Sequence, residues 1–208
     1  SDRPVVSAFH RYGLTDRFTL GGNLQASRNQ LMTGVDATVG GKWGVFRADL
    51  AGSHIEGGND GFAWQTQYQI VDRGKIGNDG RFRGTRNFTL LTSYRSEHFA
   101  PLGSLSPNNV SSYQLATRYS QQWSPTVSLG IGGGYKIGRG DQRDDWNYTL
   151  SLNKRLSTSL HVNVSLQRRA IEGYGMFLSL GWTPRDSRHS VNSSHDSFNK
   201  TTRADWNY

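Results

Sequence analysis

The sequence predicts an all-β chain, an antiparallel transmembrane β-barrel segment of about twelve strands, and three observations predict it. Polar and apolar residues alternate with a period of two through most of the 208 residues. The connections sort into tight turns and longer polar loops. Aromatic side chains gather at strand ends.

The alternation is cleanest over 145–167. Trp146, Tyr148, Leu150 and Leu152 alternate with Asn147, Thr149, Ser151 and Asn153. After an interruption at 154–159, Leu160, Val162, Val164 and Leu166 alternate with His161, Asn163, Ser165 and Gln167. Successive side chains of a strand point to opposite faces, so each run has one apolar and one polar face. Two such runs joined by a short polar connection make a hairpin. In a soluble sandwich the apolar face would meet a second sheet. In a membrane barrel it would meet lipid, and the polar face would line a lumen.

Composition favours the barrel. Hydrophobic residues make up 34% of the chain, low for a large two-sided core. Mean hydropathy is −0.65, and no run approaches the ~20 apolar residues of a membrane helix. A spanning strand needs only ~9–11 residues, half of them apolar. Aromatic content of 12% and 25 glycines suit a barrel.

In chain order, 4–12 reads as a strand and 13–16 as a tight turn. Phe18, Leu20, Leu24 and Ala26 alternate with Thr19, Gly21, Asn23 and Gln25. A connection at 28–31 leads to Thr33, Val35, Ala37 and Val39, alternating with Gly34, Asp36 and Thr38. After a turn at 40–42, Phe46, Ala48 and Leu50 alternate with Arg47, Asp49 and Ala51. A glycine-rich loop over 56–61 precedes Phe62, Trp64, Tyr68 and Ile70, alternating with Ala63, Gln65, Gln67 and Gln69. A connection at 73–80 is followed by one weakly alternating strand over 82–95, then the longest loop, 97–109. Tyr113, Leu115 and Tyr119 alternate with Gln114, Ala116 and Arg118. The turn at 123–126 leads into Val127, Leu129, Ile131, Tyr135 and Ile137, and a charged loop at 138–144 precedes the hairpin. Met176, Leu178, Leu180 and Trp182 alternate with Phe177, Ser179 and Gly181, and the polar stretch 188–200 reads as the twelfth strand.

Tight connections fall at 14–16, 40–42, 124–126 and 156–159, with longer ones between. Outer-membrane barrels have this asymmetry of short periplasmic turns and longer external loops. Phe18, Phe62, Trp123, Trp146 and Trp182 lie near strand ends, as interfacial girdles require. Asp36, Arg47, Asp49 and Arg118 put charge in mid-strand. An Arg facing lipid at the midplane costs ~2–4 kcal/mol, whereas a wide, water-filled lumen accepts it at little cost. The candidate lumen-facing residues are Gln65, Gln67, Gln114, Arg118, Asn147, Thr149, Ser151, Asn153, Asn163 and Gln167.

Other chemistries find little support. With no cysteine, disulfides and thiolate metal sites are excluded. The net charge of +8 is dispersed without a dense basic run, so no nucleic-acid partner is expected. The six histidines have no ligand spacing. Gly130, Gly132, Gly133, Gly134 and Lys136 resemble a phosphate loop in composition, but they sit inside a strand pattern and precede no helix. Ser193, Ser194, His195 and Asp196 are hydrolase residue types, yet adjacency in sequence is not triad geometry. No cofactor, metal or catalytic residue is expected. The chain opens Ser1-Asp2-Arg3-Pro4 without a signal peptide, which was removed or lies in a longer protein.

Arg11-Tyr12-Gly13-Leu14-Thr15-Asp16, followed by Phe18-Thr19-Leu20-Gly21-Gly22, resembles the turn motif of fimbrial (pilus) outer-membrane usher proteins. Trp43-Gly44-Val45 resembles the segment that follows in that family, and the hairpins from Tyr113 to Leu178-Ser179-Leu180-Gly181-Trp182-Thr183-Pro184 resemble a later part of its barrel. The likeness is specific in the first fifty residues and elsewhere rests on shared alternation. It implies the bacterial outer membrane and a chaperone–usher pore of about twenty-four strands, which passes folded pilus subunits outward. Such ushers also carry a plug and periplasmic domains that bind chaperone–subunit complexes. No plug or periplasmic domain is recognisable here, so 1–208 matches the part of the barrel after the plug, and recruitment or gating residues cannot be carried over. The implied partners are pilus subunits and periplasmic chaperone–subunit complexes, through other parts of the chain, and outer-membrane lipid.

Arg143-Asp144-Asp145-Trp146-Asn147-Tyr148 is echoed by Arg203-Ala204-Asp205-Trp206-Asn207-Tyr208, so the sequence stops as a further strand opens. The alternative is a complete small outer-membrane barrel with an aromatic C-terminal signal, acting as a porin-like channel or an outer-membrane enzyme such as a phospholipase.

Overall fold

The structure is a computed structural model that describes residues 4–76, 82–103, 109–184 and 189–207. The strands are β1 (Val6–Thr15), β2 (Phe18–Ser27), β3 (Gln30–Gly41), β4 (Gly44–Ile55), β5 (Gly61–Asp72), β6 (Lys75–Ile76), β7 (Phe82–Arg83), β8 (Arg86–Arg95), β9 (Ser111–Ser124), β10 (Val127–Gly138), β11 (Asp145–Arg155), β12 (Leu160–Arg169), β13 (Gly173–Trp182), β14 (Ser190–Asp196) and β15 (Thr201–Asn207). No helix occurs among the described residues. Thirteen strands form one sheet in the order β1-β2-β3-β4-β5-β8-β9-β10-β11-β12-β13-β14-β15, and β6 and β7 form a separate ribbon. The fold is the expected all-β barrel segment, with β1 and β15 at the two ends of the strand order. Both end strands are exposed along their whole length.

The chain divides into two compact units. The first comprises Ser1–Ile70, Thr89–Ala116 and Tyr135–Asp144. Within it β1 to β5 run as an antiparallel meander. Leu20 lies opposite Ala37, Ala37 opposite Ala48, Val35 opposite Leu50, and Leu50 opposite Trp64. Partners across an antiparallel pair share a face, so the period-two pattern of each strand joins one continuous apolar face. Lys42 and Trp43 form the two-residue loop of β3–β4, closed by Gly41 opposite Gly44. Gly44 has φ +121°, a left-handed backbone that favours glycine, and an added Cβ would collide with the Gln69 carbonyl oxygen.

The second unit comprises Val71–Phe88, Thr117–Gly134 and Asp145–Tyr208. Leu152 faces Val164, Val164 faces Leu178, and Leu150 faces Leu166, which faces Met176. β15 pairs with β14 from Ser190 opposite Asn207 to Asp196 opposite Thr201. This is the thirteenth strand: 201–207, read in sequence as a bare opening, already forms a complete partner.

Three details differ from the sequence reading. β1 continues through Thr15 with an irregularity between Gly13 and Thr15, so the turn falls at Asp16 and Arg17. The stretch 82–95 is broken at Gly84 and Thr85 into β7 and β8; a side chain at Gly84 would strike the Gln122 carbonyl. Three further connections are tight, Arg28–Asn29, 170–172 and 197–200, and they alternate out of step with the tight set. Loop length therefore sorts the two ends less cleanly than expected, and the faces carry the barrel reading instead.

The burial pattern is inverted relative to a soluble protein. Phe9 is 84% exposed, Val35 58% and Leu50 57%, while Gln30, Asp36, Ser53, Ser111 and Ser165 are buried. Water-facing exposure of so many large apolar side chains is rare in soluble monomers.

Candidate functional site

The polar face of each unit is built from the residues between the apolar ones. In the first unit Thr19, Thr38, Arg47 and Gln67 form one cross-strand row. Gly21, Asp36, Asp49 and Gln65 form the next. The mid-strand charges meet on this face. Arg47 holds Asp49 through Nη2 to Oδ1 at 2.7 Å and Nε to Oδ2 at 3.0 Å. Arg11 Nε lies 3.3 Å from Asp36 Oδ2. Asp36 reaches that position because Gly21 opposite it has no side chain; a Cβ there would collide with the Asp36 carboxylate. Mutual pairing keeps this wall charged while neutralising it locally. Gln114 belongs to the same face of β9, since Tyr113 beside it packs edge-on against Trp64 of the apolar face at 6.1 Å. Gln114 Nε2 donates to Ser111 Oγ at 3.0 Å.

In the second unit Asn147 lies opposite Arg169, and Thr149 opposite Gln167, which is opposite Gly175. Ser151, Ser165, Phe177 and Asp196 form one row; Asn153, Asn163, Ser179 and Ser194 form another. Asn163 Nδ2 donates to Asn153 Oδ1. Gly130 gives Ser151 room: a Cβ there would sit 2.6 Å from its Oγ. Gly132, two residues on, lies beside the Cγ of Arg118, which places Arg118 on this face. The ten candidate residues thus occupy polar faces, Gln65, Gln67 and Gln114 in the first unit and the other seven in the second. An open depression of about 400 Å³, lined by Asn147, Thr149, Gln167, Arg169 and Glu172, follows the second wall. Its donors and acceptors are the amides of Asn147 and Gln167, the Thr149 hydroxyl and the mutually paired Arg169 and Glu172, a polar surface rather than a convergent binding pocket.

The glycines around Gly132 sit inside β10, as the strand pattern requires. Along β14 His195 lies opposite Leu178 while Ser194 and Asp196 belong to the other face. His195 Nδ1 is 2.9 Å from Thr202 Oγ1, and the Asp196 carboxylate accepts the Phe198 N–H at 2.9 Å and Asn199 Nδ2 at 2.7 Å in the following turn.

Sequence reasoning missed one part of the wall. The loop after β8 folds back over the polar side of β3–β5. Gln30 is 3% exposed. Its Nε2 donates to the Ala100 carbonyl at 3.1 Å and the Pro101 carbonyl at 2.9 Å, and its Oε1 accepts the Gly103 N–H at 2.8 Å. Ser53 Oγ accepts the Ala100 N–H at 2.9 Å. Gly61 lets the backbone of Phe99 lie directly on β5. Asn109 Nδ2 ties the loop to itself through the carbonyls of Ser96, Glu97 and Phe99. The apolar Phe99-Ala100-Pro101 inside a polar loop was the available signal. In the loop before β11, Asp144 accepts the Tyr135 hydroxyl at 2.6 Å and the Gly138 N–H at 3.0 Å. These bonds, the Tyr135 one foremost, hold its carboxyl below the usual carboxylate value.

One antiparallel sheet with an apolar face, a polar face and an inverted burial pattern defines the class: a segment of an outer-membrane-type β-barrel. No protein-family model matches the sequence, and no curated protein matches it. Among solved structures it is similar to the translocation pore of the P pilus usher, PapC, with a TM-score of 0.59 and 15% identity. The match covers 96% of this chain and 41% of that one. The likeness establishes an usher-like barrel fold, and the chain spans about two fifths of the length of that neighbour.

Proposed function

We propose that this chain is part of an outer-membrane usher pore, whose polar faces form a hydrated wall past which folded pilus subunits move outward. The observation that carries the reading is the pairing of an usher-like fold with faces sorted by polarity, one apolar and one polar; on this reading the apolar face meets lipid and the polar face a lumen. Amides, hydroxyls and locally paired charges let a folded protein slide without burying apolar area against the wall. The exposed edges of β1 and β15 carry backbone groups that further strands would satisfy within a bilayer. The chain then acts as conduit rather than catalyst, with chaperone–subunit complexes docking on other parts of the protein.

The absence of cysteine makes the test clean. Single cysteines at Gln65, Asn147 and Asn163 are expected to react with a membrane-impermeant maleimide and to crosslink to a subunit stalled in transit. Cysteines at Leu50 and Leu150 are expected to do neither. Labelling without subunit crosslinks would leave a barrel and remove the usher reading. An intact mass near 23.2 kDa for the polypeptide in its source membranes would favour a complete small barrel.

A further inference from the structure

The apolar face of β11–β13 carries two charges and no carboxylate: Lys154, opposite Val162 near the β11–β12 turn, and Arg168 at the other end. Arg168 ends the series Leu160, Val162, Val164, Leu166 on β12, and it lies between Tyr148 and Tyr174 on the flanking strands. Its guanidinium stacks 5.1 Å from the Trp146 ring centroid and 4.6 Å from that of Tyr174. Nη1 donates to the Tyr174 hydroxyl at 2.9 Å. Arg169, the next residue and on the opposite face, is ion-paired with Glu172 at 2.5 Å. No ion pair of Arg168 occurs among the described residues. A guanidinium has five N–H donors; with the Tyr148 and Tyr174 hydroxyls as its side-chain partners, further donors remain for a ligand, and two aromatic faces hold it still. Beside it runs an open groove of about 400 Å³ lined by Tyr148, Leu150, Leu166, Tyr174 and Met176, together with Gln167 and Ser197.

We propose that Arg168 and this groove bind one anionic phospholipid, its phosphate on the guanidinium and an acyl chain along Leu150, Leu166 and Met176. The proposal rests on reading the apolar face as lipid-facing. Charge complementarity selects the occupant: a cation without a carboxylate partner, stacked on aromatic rings beside Leu150, Leu166 and Met176, matches a molecule with a phosphate at one end and hydrocarbon at the other. A planar, stacked guanidinium presents two parallel donors to phosphate oxygens, which a lysine does not.

The test is native mass spectrometry of the folded, full-length protein in detergent with added dioleoyl phosphatidylglycerol. The protein is expected to retain one lipid that Arg168→Gln loses by about tenfold or more in apparent affinity, with Arg168→Lys between them. Arg169→Gln is expected to retain it, and inorganic phosphate alone at the same concentration is expected not to displace it. Equal retention by Arg168→Gln and the parent overturns the proposal. Displacement by inorganic phosphate overturns the acyl half. Heat-dependent gel migration verifies that each variant is folded. Accessibility of Leu150→Cys to an aqueous maleimide reports separately on the membrane reading, so that failure is distinguishable from failure of the lipid site.

Discussion

Val164 gives the sharpest test of which face meets lipid. It lies opposite Leu152 on one side and Leu178 on the other. Along β12 it is four residues from Leu160 and four from Arg168. Eight steps of ~3.4 Å make about 27 Å of strand, and a tilt of about 40° brings that to about 20 Å, close to the height of a barrel's apolar band. Val164 is therefore at its centre, and Val164→Arg is expected to cost about 2–4 kcal/mol. That is a loss of about thirtyfold to several-hundredfold in the folded ratio. Leu150 pairs with Leu166, only two residues from Arg168, so Leu150→Arg should cost less, about 1–2 kcal/mol, as the penalty falls toward the interface. Asn163→Arg points the other way, into the row of Asn153 and Ser179, and is expected to change stability by no more than about 0.5 kcal/mol. The assay is the folded fraction in phosphatidylcholine vesicles across a urea series, read by heat-dependent gel migration. Equal damage from all three substitutions would refute the assigned faces. A larger cost at Leu150 than at Val164 would refute the position of the band.

Gln30→Ala removes three hydrogen bonds to the 96–103 loop; at ~0.5–1.5 kcal/mol each, about 2 kcal/mol of local stability should go, seen as faster protease cleavage near Phe99 with the barrel intact. Gly44→Ala forces a side chain onto the Gln69 carbonyl at positive φ, and is expected to destabilise by about 1–3 kcal/mol in the same urea series. Asp144 has a depressed carboxyl pKa, so its contribution is fully present above the usual carboxylate value of 3.8 and is lost as pH falls through its lower folded value. The amide resonance of Gly138 should therefore stay constant from neutral pH down to about that value and shift only below it, and Asp144→Asn should abolish the shift.

Most of the sheet was legible because a period-two pattern fixes both element and face. Trp146 to Asn153 and Leu160 to Gln167 read correctly residue by residue, but Lys154 and Arg155, read as an interruption, continue β11 opposite Val162 and His161, because a lysine on the apolar face breaks the alternation without breaking the ladder. The thirteenth strand was visible as alternation in Thr202, Ala204 and Trp206 against Arg203 and Asp205, but seven residues with no known partner did not suffice to establish it. Gln30 was unreadable for a different reason. Its partners are carbonyls and an N–H seventy or more residues away, and backbone groups leave no mark in a sequence. Arg168 was hidden by the pattern itself: it continues the parity of Leu166, so a periodic reading accepts an arginine on the apolar face without asking what neutralises it.

Arg168 and the charges near β1–β4 express opposite solutions to one constraint. Arg47 and Asp49 lie two residues apart on the same face and are paired within the protein, and Asp36 is buried against Arg11. A wall built this way has charge but little net field, so it neither captures nor repels a passing protein strongly. Removing one partner should reverse that. Asp49→Asn leaves Arg47 without its nearest anion, and in a reconstituted pore that conducts ions the selectivity is expected to move toward anions, while Asp49→Asn combined with Arg47→Gln restores the parent ratio. Unchanged selectivity in the single variant would mean that this face does not line the conducting path.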